Sequence, residues 1–212
     1  MATRYNIHPD NPQARFIDQI VEQLMKGAVM LYPTDTVYAI GCDINSKAGQ
    51  QRIRKIRSLP DNKPLTFVAS SISQISDYAK ISDSAYQVIR QLVPGPYTFL
   101  LPATKLVPNL VLNSKRTTTG IRVPDHFLSQ LLISELGNPL ISMSARLDDW
   151  DEPSYNEELF DLFDPLVDMI IETDTEYRSP DGGYLSTMID FTDDMAVIKR
   201  EGLGIELASQ IV

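Results

Sequence analysis

Short apolar runs of strand length recur along the whole chain, most of them separated from the next by a stretch of helical period. That interleaving is the strongest constraint on the fold, because strands and amphipathic helices in alternation are satisfied by a sheet with helices packed on its faces. The order is irregular, with helical segments missing between some strands. It predicts a single α/β domain with a mixed sheet rather than regular βαβ winding. At 212 residues the chain can bury a substantial core in one domain. The pattern predicts helices over 12–26 (capped by Asn11, ended by Gly27), from the cap Ser46 to about 57, and over 72–78, 83–93, 126–136, 156–163 and 204–210. It predicts strands over 28–32, 64–69, 97–102, 120–123, 140–144, 166–171, 186–191 and 195–199, the last two as a hairpin.

Composition excludes several classes of function. No run approaches the roughly 18 consecutive apolar residues of a membrane span. The polar opening MATRYNIHPDNPQARF lacks the apolar centre of a signal peptide. Cys42 is the only cysteine, so neither an intrachain disulfide nor a cysteine metal site is expected. With only His8 and His126, a histidine-rich metal site is not expected either. A reducing, cytoplasmic setting is the expectation. The net charge is −9, but sixteen of the 28 acidic residues fall within 146–195, beside only Arg146 and Arg178. The rest of the chain is basic on balance. An acidic chain is a poor non-specific binder of nucleic acid, yet this distribution leaves room for one basic cavity.

The common phosphate loops G-x-x-x-x-G-K-[ST] and G-x-G-x-x-G are absent, as is the G-x-S-x-G elbow. Polar clusters sit instead at predicted strand ends. The first, LYPTDTVYAIGCD (31–43), places Thr34, Asp35 and Thr36 between two apolar segments. It is either a polar turn joining core segments or a turn that faces a ligand. The second, RIRKIRSLPDNKPL (52–65), gathers Arg52, Arg54, Lys55 and Arg57 at a helix C-terminus, where cations complement the helix dipole. Alternatively Lys55 and Arg57 face a polyphosphate, one as a point charge and one as a planar fork.

The third cluster, TTTGIRVPDH (117–126), sets Arg122 inside an apolar strand pattern. It is an edge arginine with its head in solvent or a carboxylate receptor. In the fourth, PLISMSAR (139–146), Ser142 and Ser144 alternate around Met143 and so share a strand face. They serve as core hydroxyls bonded to backbone or as pocket lining. Strand ends are where α/β sheets usually bind ligands.

Together with PGPYTFLLPATKLVP, STMIDFT and IKREGLG, these segments resemble the YrdC-like threonylcarbamoyl-AMP synthase family, from about residue 28 to 204. The opening IHPDNPQ and the acidic excursion are closer to the YciO branch of that family. The resemblance implies one α/β YrdC-like domain over 1–212, its family core at about 15–204, a twisted mixed sheet with flanking helices around a deep basic cavity. It implies a nucleotidyltransferase reaction in which ATP, L-threonine and bicarbonate give threonylcarbamoyl-AMP and pyrophosphate, feeding the t6A modification of tRNA. By position it implies that Thr36 and Arg122 hold threonine, with Ser142 beside it. Lys55, Arg57, Asn62, Thr118, Ser144, Ser154 and Arg200 hold ATP, and Lys55, Arg57 and Ser144 stand nearest the chemistry. Mg²⁺ is implied as arriving with ATP, held through phosphates and water. Family members are also described as binding double-stranded RNA, which implies the alternative of an RNA-binding module with little or no synthase activity.

The pattern departs from the family at the site. The family reads K-x-R followed by S-x-N, and here Arg146 stands where Asn is expected. A donor-only cation replaces an amide that both donates and accepts. Arg146 is expected either to contact phosphate or to block the pocket, and blocking would fit a relative that keeps the cavity without synthesis. The loop after Arg57 carries one extra residue before Asp61 and one after Asn62, and Val68 falls where some members place a threonine-contacting histidine.

Overall fold

The computed structural model describes residues 1–60, 63–109, 111–112, 117–148, 150–193 and 195–212. In chain order the elements are β1 (Thr3–Asn6), α1 (Ala14–Met25), β2 (Met30–Tyr32), β3 (Ala39–Asp43), α2 (Lys47–Ile56), β4 (Thr66–Val68), α3 (Ile72–Tyr78), α4 (Asp83–Leu92) and β5 (Tyr97–Pro102). They continue with β6 (Thr118–Arg122), α5 (Phe127–Leu136), β7 (Leu140–Ser144), α6 (Asn156–Phe163), β8 (Met169–Glu172), β9 (Thr187–Asp190), β10 (Val197–Arg200) and α7 (Ile205–Ile211). The strands form one sheet in the order β1-β8-β2-β3-β7-β4-β6-β5-β9-β10. Four neighbouring pairs are parallel (β1/β8, β2/β8, β4/β6, β5/β9) and five antiparallel, the mixed sheet that the irregular spacing predicts.

Local chemistry explains most boundaries. Ser46 caps α2 by accepting the Gly49 N–H at 3.0 Å. Helix α1 begins after Gln13 rather than Asn11, and Gln13 makes no side-chain cap. Just beyond the end of α1, Gly27 takes the left-handed conformation (φ 93°) that a helix terminus favours. Two strands escape the periodicity. In β1 (TRYN) only Tyr5 is buried, so an outer strand reads as coil. In β3 all five residues are buried on both faces, so no alternation marks it. The acidic excursion is not free in solvent along its whole length. Helix α6 buries Leu159, Phe160 and Phe163, while Arg4 of β1 donates to Glu157 at 2.5 Å and Asp161 at 2.9 Å.

Alternation sorts the core into two layers. On one face Leu31, Ile40, Ile141, Phe67, Ile121, Phe99 and Ile189 pack with Ile53 of α2, Ile75 of α3, Ile89 of α4 and Phe163 of α6. On the other, α1 and α5 contribute Ile17, Ile20, Leu24, Leu132 and Leu136, covering Met30, Tyr32, Ala39, Val68 and Leu140. That second layer ends near β4, and the same face of β6, β5 and β9 lies beyond it. No helix among the described residues is long and apolar enough to cross a membrane. Replacing Ser46 with Ala should cost about 1 kcal/mol in a urea titration, the usual loss of a side-chain N-cap. An unchanged midpoint would show that the cap contributes nothing.

Candidate functional site

The register carries one set of side chains onto the face beyond α1 and α5. Arg122 ends β6, an interior strand, with Val68 of β4 opposite it. It is 8% exposed, so it is not an edge arginine in solvent. Thr66 comes from β4, Thr98 from β5 and Met188 from β9, opposite Thr98. Ser142 and Ser144 both turn to this face of β7, opposite Gly41 and Ala39. A β-bulge between Ile198 and Arg200 sets Arg200 opposite Met188, the place Lys199 would take in a regular ladder. The turn after β2 adds Thr34 and Thr36, and Ser186 precedes β9. Together these line a cavity of about 130 Å³. A cavity of ~150 Å³ holds benzene, whereas pockets for larger ligands begin near 300 Å³. The space between these side chains therefore accommodates a group of amino-acid size.

Two guanidiniums define its electrostatics. Arg122 forms an ion pair from Nη2 to Asp35 Oδ1 at 2.5 Å, and donates from Nη1 to Thr36 Oγ1 at 2.8 Å and from Nε to the Gly95 carbonyl at 3.3 Å. Its charge is compensated inside the protein. Arg200 donates from Nε and Nη2 to the Ser186 carbonyl at 3.1 and 2.8 Å and from Nη2 to Ser186 Oγ at 3.0 Å. Among the described residues no carboxylate forms an ion pair with it. Burial, and then the neighbouring Arg122, push the Arg200 guanidinium below its ordinary pKa. An anion in the cavity would oppose both effects.

The turn that carries Asp35 is fixed from both sides. Thr34 Oγ1 donates to the Val37 carbonyl at 2.7 Å and accepts the Thr36 N–H at 3.2 Å. From α5, Ser129 Oγ donates to the Pro33 carbonyl at 2.8 Å. His126, the N-cap of α5, accepts the Ser129 N–H at 3.4 Å. Burial lowers its imidazole pKa and so favours the neutral, accepting form.

The remaining sequence candidates lie outside the enclosure. Lys55 is exposed on the last turn of α2. Arg57 caps α2 and donates to the Arg146 carbonyl at 2.6 Å. Its pKa is lowered by burial and then by Arg146. The Arg146 guanidinium pairs with Asp181 at 2.6 Å and is not part of the cavity wall, so it does not block it. Ser154 belongs to a separate recess with Glu152, Tyr177, Arg178 and Tyr184. Arg178 in turn reaches the Asp35 carbonyl at 3.5 Å. Thr118 shares the strand face of Arg122 but lines a different recess, with Pro102, Thr192 and Asp193. Asn62 lies outside the described residues.

Sequence reading passed over Thr66, Thr98 and Ser186, and singled out Thr34 and Asp35 without giving them a role. The available signal is parity: Thr66 in TFV, Thr98 in YTFLLP and Ser186 in STMID each occupy the strand position that faces away from the core residue Phe67, Phe99 or Ile189.

The two ion pairs should respond differently to truncation. Arg122→Ala leaves Asp35 buried without its cation, and an equilibrium unfolding curve should register a loss of about 3–5 kcal/mol. Arg146→Ala removes a pair whose side chains are 44% and 50% exposed, for which no more than about 1 kcal/mol is expected. Equal losses would contradict this assignment of burial and charge.

The sequence profile of the Sua5/YciO/YrdC family, described as "Telomere recombination", matches residues 22–202. The uncharacterized protein YciO of Escherichia coli K12 is 42% identical over 209 residues, covering 96% of this chain and 97% of that one. Its crystal structure superposes with a TM-score of 0.83 at 41% identity, over 96% of this chain and 97% of the other. A threonylcarbamoyl-AMP synthase of Vibrio vulnificus YJ016 is 35% identical over 158 residues, 73% of this chain and 84% of the relative. The fold is shared as well with P. abyssi Sua5 complexed with L-threonine, at 24% identity and a TM-score of 0.87, over 100% of this chain and 61% of that longer one. The chain belongs to the Sua5/YciO/YrdC family.

Proposed function

We propose that the chain is a threonylcarbamoyl-AMP synthase-type enzyme, joining L-threonine, bicarbonate and ATP into threonylcarbamoyl-AMP with release of pyrophosphate and water. The observation that carries this is the cavity: amino-acid-sized, lined by hydroxyls, with one compensated and one uncompensated guanidinium. A relative 35% identical is a threonylcarbamoyl-AMP synthase. The threonine carboxylate faces Arg122, Thr36 and Ser142. Its amine takes up carbon dioxide or bicarbonate, and the carbamate oxygen attacks the α-phosphate. Arg200 and Ser144 face that exchange. The rest of the nucleotide extends beyond the enclosed volume, on the side where Ser144 continues to Arg146 and Arg57, with Lys55 beyond. Thr118, Ser154 and Asn62 are assigned to the nucleotide by resemblance alone.

The cavity's polar lining consists of hydroxyls and guanidiniums, which fits Mg²⁺ carried on the phosphates better than Mg²⁺ held by the chain. When bound, the ion offsets phosphate charge. The side chains align the reactants and stabilise developing charge, and no side-chain nucleophile is required.

The test is pyrophosphate release with Mg-ATP, L-threonine and bicarbonate, run beside other amino acids. Release should require all three reactants. Arg200→Ala should lower kcat/KM by about 10–100-fold, the range for losing hydrogen bonds to a charged group. Arg57→Ala should abolish the thermal stabilisation given by Mg-ATP. No pyrophosphate, with no thermal shift from Mg-ATP plus threonine, sinks the synthase assignment.

A further inference from the structure

Tyr32 is fully buried, is not part of the cavity wall, and has no role in the reaction as described. Its hydroxyl nevertheless reaches the site. Tyr32 ends β2 and Ser142 lies in β7, with β3 between them. Gly41 of β3 pairs with Ser142 and lies directly under the path of the ring. A Cβ on Gly41 would stand 2.8 Å from Tyr32 Cε1, closer than such atoms approach. The missing side chain is what lets the phenol cross a whole strand. It arrives with its oxygen 2.7 Å from Ser142 Oγ.

The direction of this hydrogen bond follows from proton accounting. Among the described residues Ser142 Oγ is the only partner of the phenol. If serine donated, the phenolic proton would be left without an acceptor at a fully buried position, which costs more than the bond contributes. Tyr32 therefore donates and Ser142 accepts. Burial pushes the phenol up to about 12, so the direction holds across working pH. A serine hydroxyl has one proton and two acceptor positions. With one acceptor position taken by Tyr32, and no protein acceptor for its own proton among the described residues, Ser142 turns a donor toward the cavity it lines.

We propose that Tyr32 is a positioning residue of the amino-acid subsite: by donating across Gly41 it sets Ser142 as a proton donor, aimed at a ligand oxygen on the same side as Arg122. The ligand group met there is an acceptor, the carboxylate of an amino acid, and an ammonium group is disfavoured. This rests on the synthase assignment, which supplies threonine as the probe.

A double-mutant cycle with L-threonine tests it. Tyr32→Phe should weaken threonine binding about three- to tenfold by calorimetry, the range for one hydrogen bond. It should raise KM for threonine to match while leaving kcat unchanged. Ser142→Ala should weaken binding as well, and adding Tyr32→Phe to it should cost nothing further. Tyr32→Phe that binds threonine like the wild type overturns the proposal, as does a Tyr32→Phe cost undiminished in the Ser142→Ala background. Wild-type protein that binds no threonine removes the synthase assignment and this inference together, so the two failures are distinguishable. If Tyr32→Phe does not fold, NMR of the wild type decides. The Tyr32 hydroxyl proton should be protected from exchange and shift on threonine binding, and an unmoved resonance overturns the proposal.

Discussion

Each strand residue must go to one face or the other, and here a single apolar row makes that choice for the five strands that carry most of the site. Ile141, Phe67, Ile121, Phe99 and Ile189 stand side by side across five neighbouring strands. All five are fully buried. Their neighbours in sequence therefore face the opposite way, and those neighbours include Ser142, Thr66, Val68, Gly120, Arg122, Thr98 and Met188. A one-residue slip of β6 would drive the Arg122 guanidinium into the apolar layer and bring Ile121 into the cavity. The core thus places the polar groups these strands carry, while the turn after β2 places Thr34 and Thr36 and the bulge in β10 places Arg200.

Within that frame, the turn between β2 and β3 and the end of β6 are joined by charge. The Arg122–Asp35 pair is expensive to desolvate: Thr36 and the Gly95 carbonyl take two further guanidinium protons, while the buried Asp35 carboxylate accepts no hydrogen bond among the described residues and is held by charge. It leaves Arg200 as the cation with capacity to spare. The Arg146–Asp181 pair, half-exposed at the outside of the site, has the opposite character. Its charges are already satisfied by each other, which explains how a cation can stand at an amide position without filling the cavity.

Legibility from sequence divided along physical lines. Elements whose burial alternates or follows helical period were readable: β5, β7, α3 and α6 have the extents that periodicity predicts. β1 was hidden because an outer strand with one buried residue has no pattern, and β3 because burial on both faces erases it. At the site, Thr36, Arg122, Ser142, Ser144 and Arg200 were named beforehand and meet in one cavity. Lys55, Arg57, Thr118 and Ser154 were named in the same way and lie apart from it, since sequence position does not report which recess a side chain enters. The links that join sites, such as Asp35 to Arg122 or Tyr32 to Ser142, span 87 and 110 residues. No local pattern encodes them.

The irregularity in β10 changes which residue is homologous to which. Lys199 and Arg200 are adjacent bases competing for one seat above Met188, and one surplus residue in the outer ribbon awards it to the arginine. Chain length there, and not composition, selects a flat two-pronged cation over a round one. Aligning this ribbon with a relative that lacks the extra residue would match lysine to arginine in error. The identity of the inward-facing base must be counted from the hairpin turn and cannot be read from the letters alone.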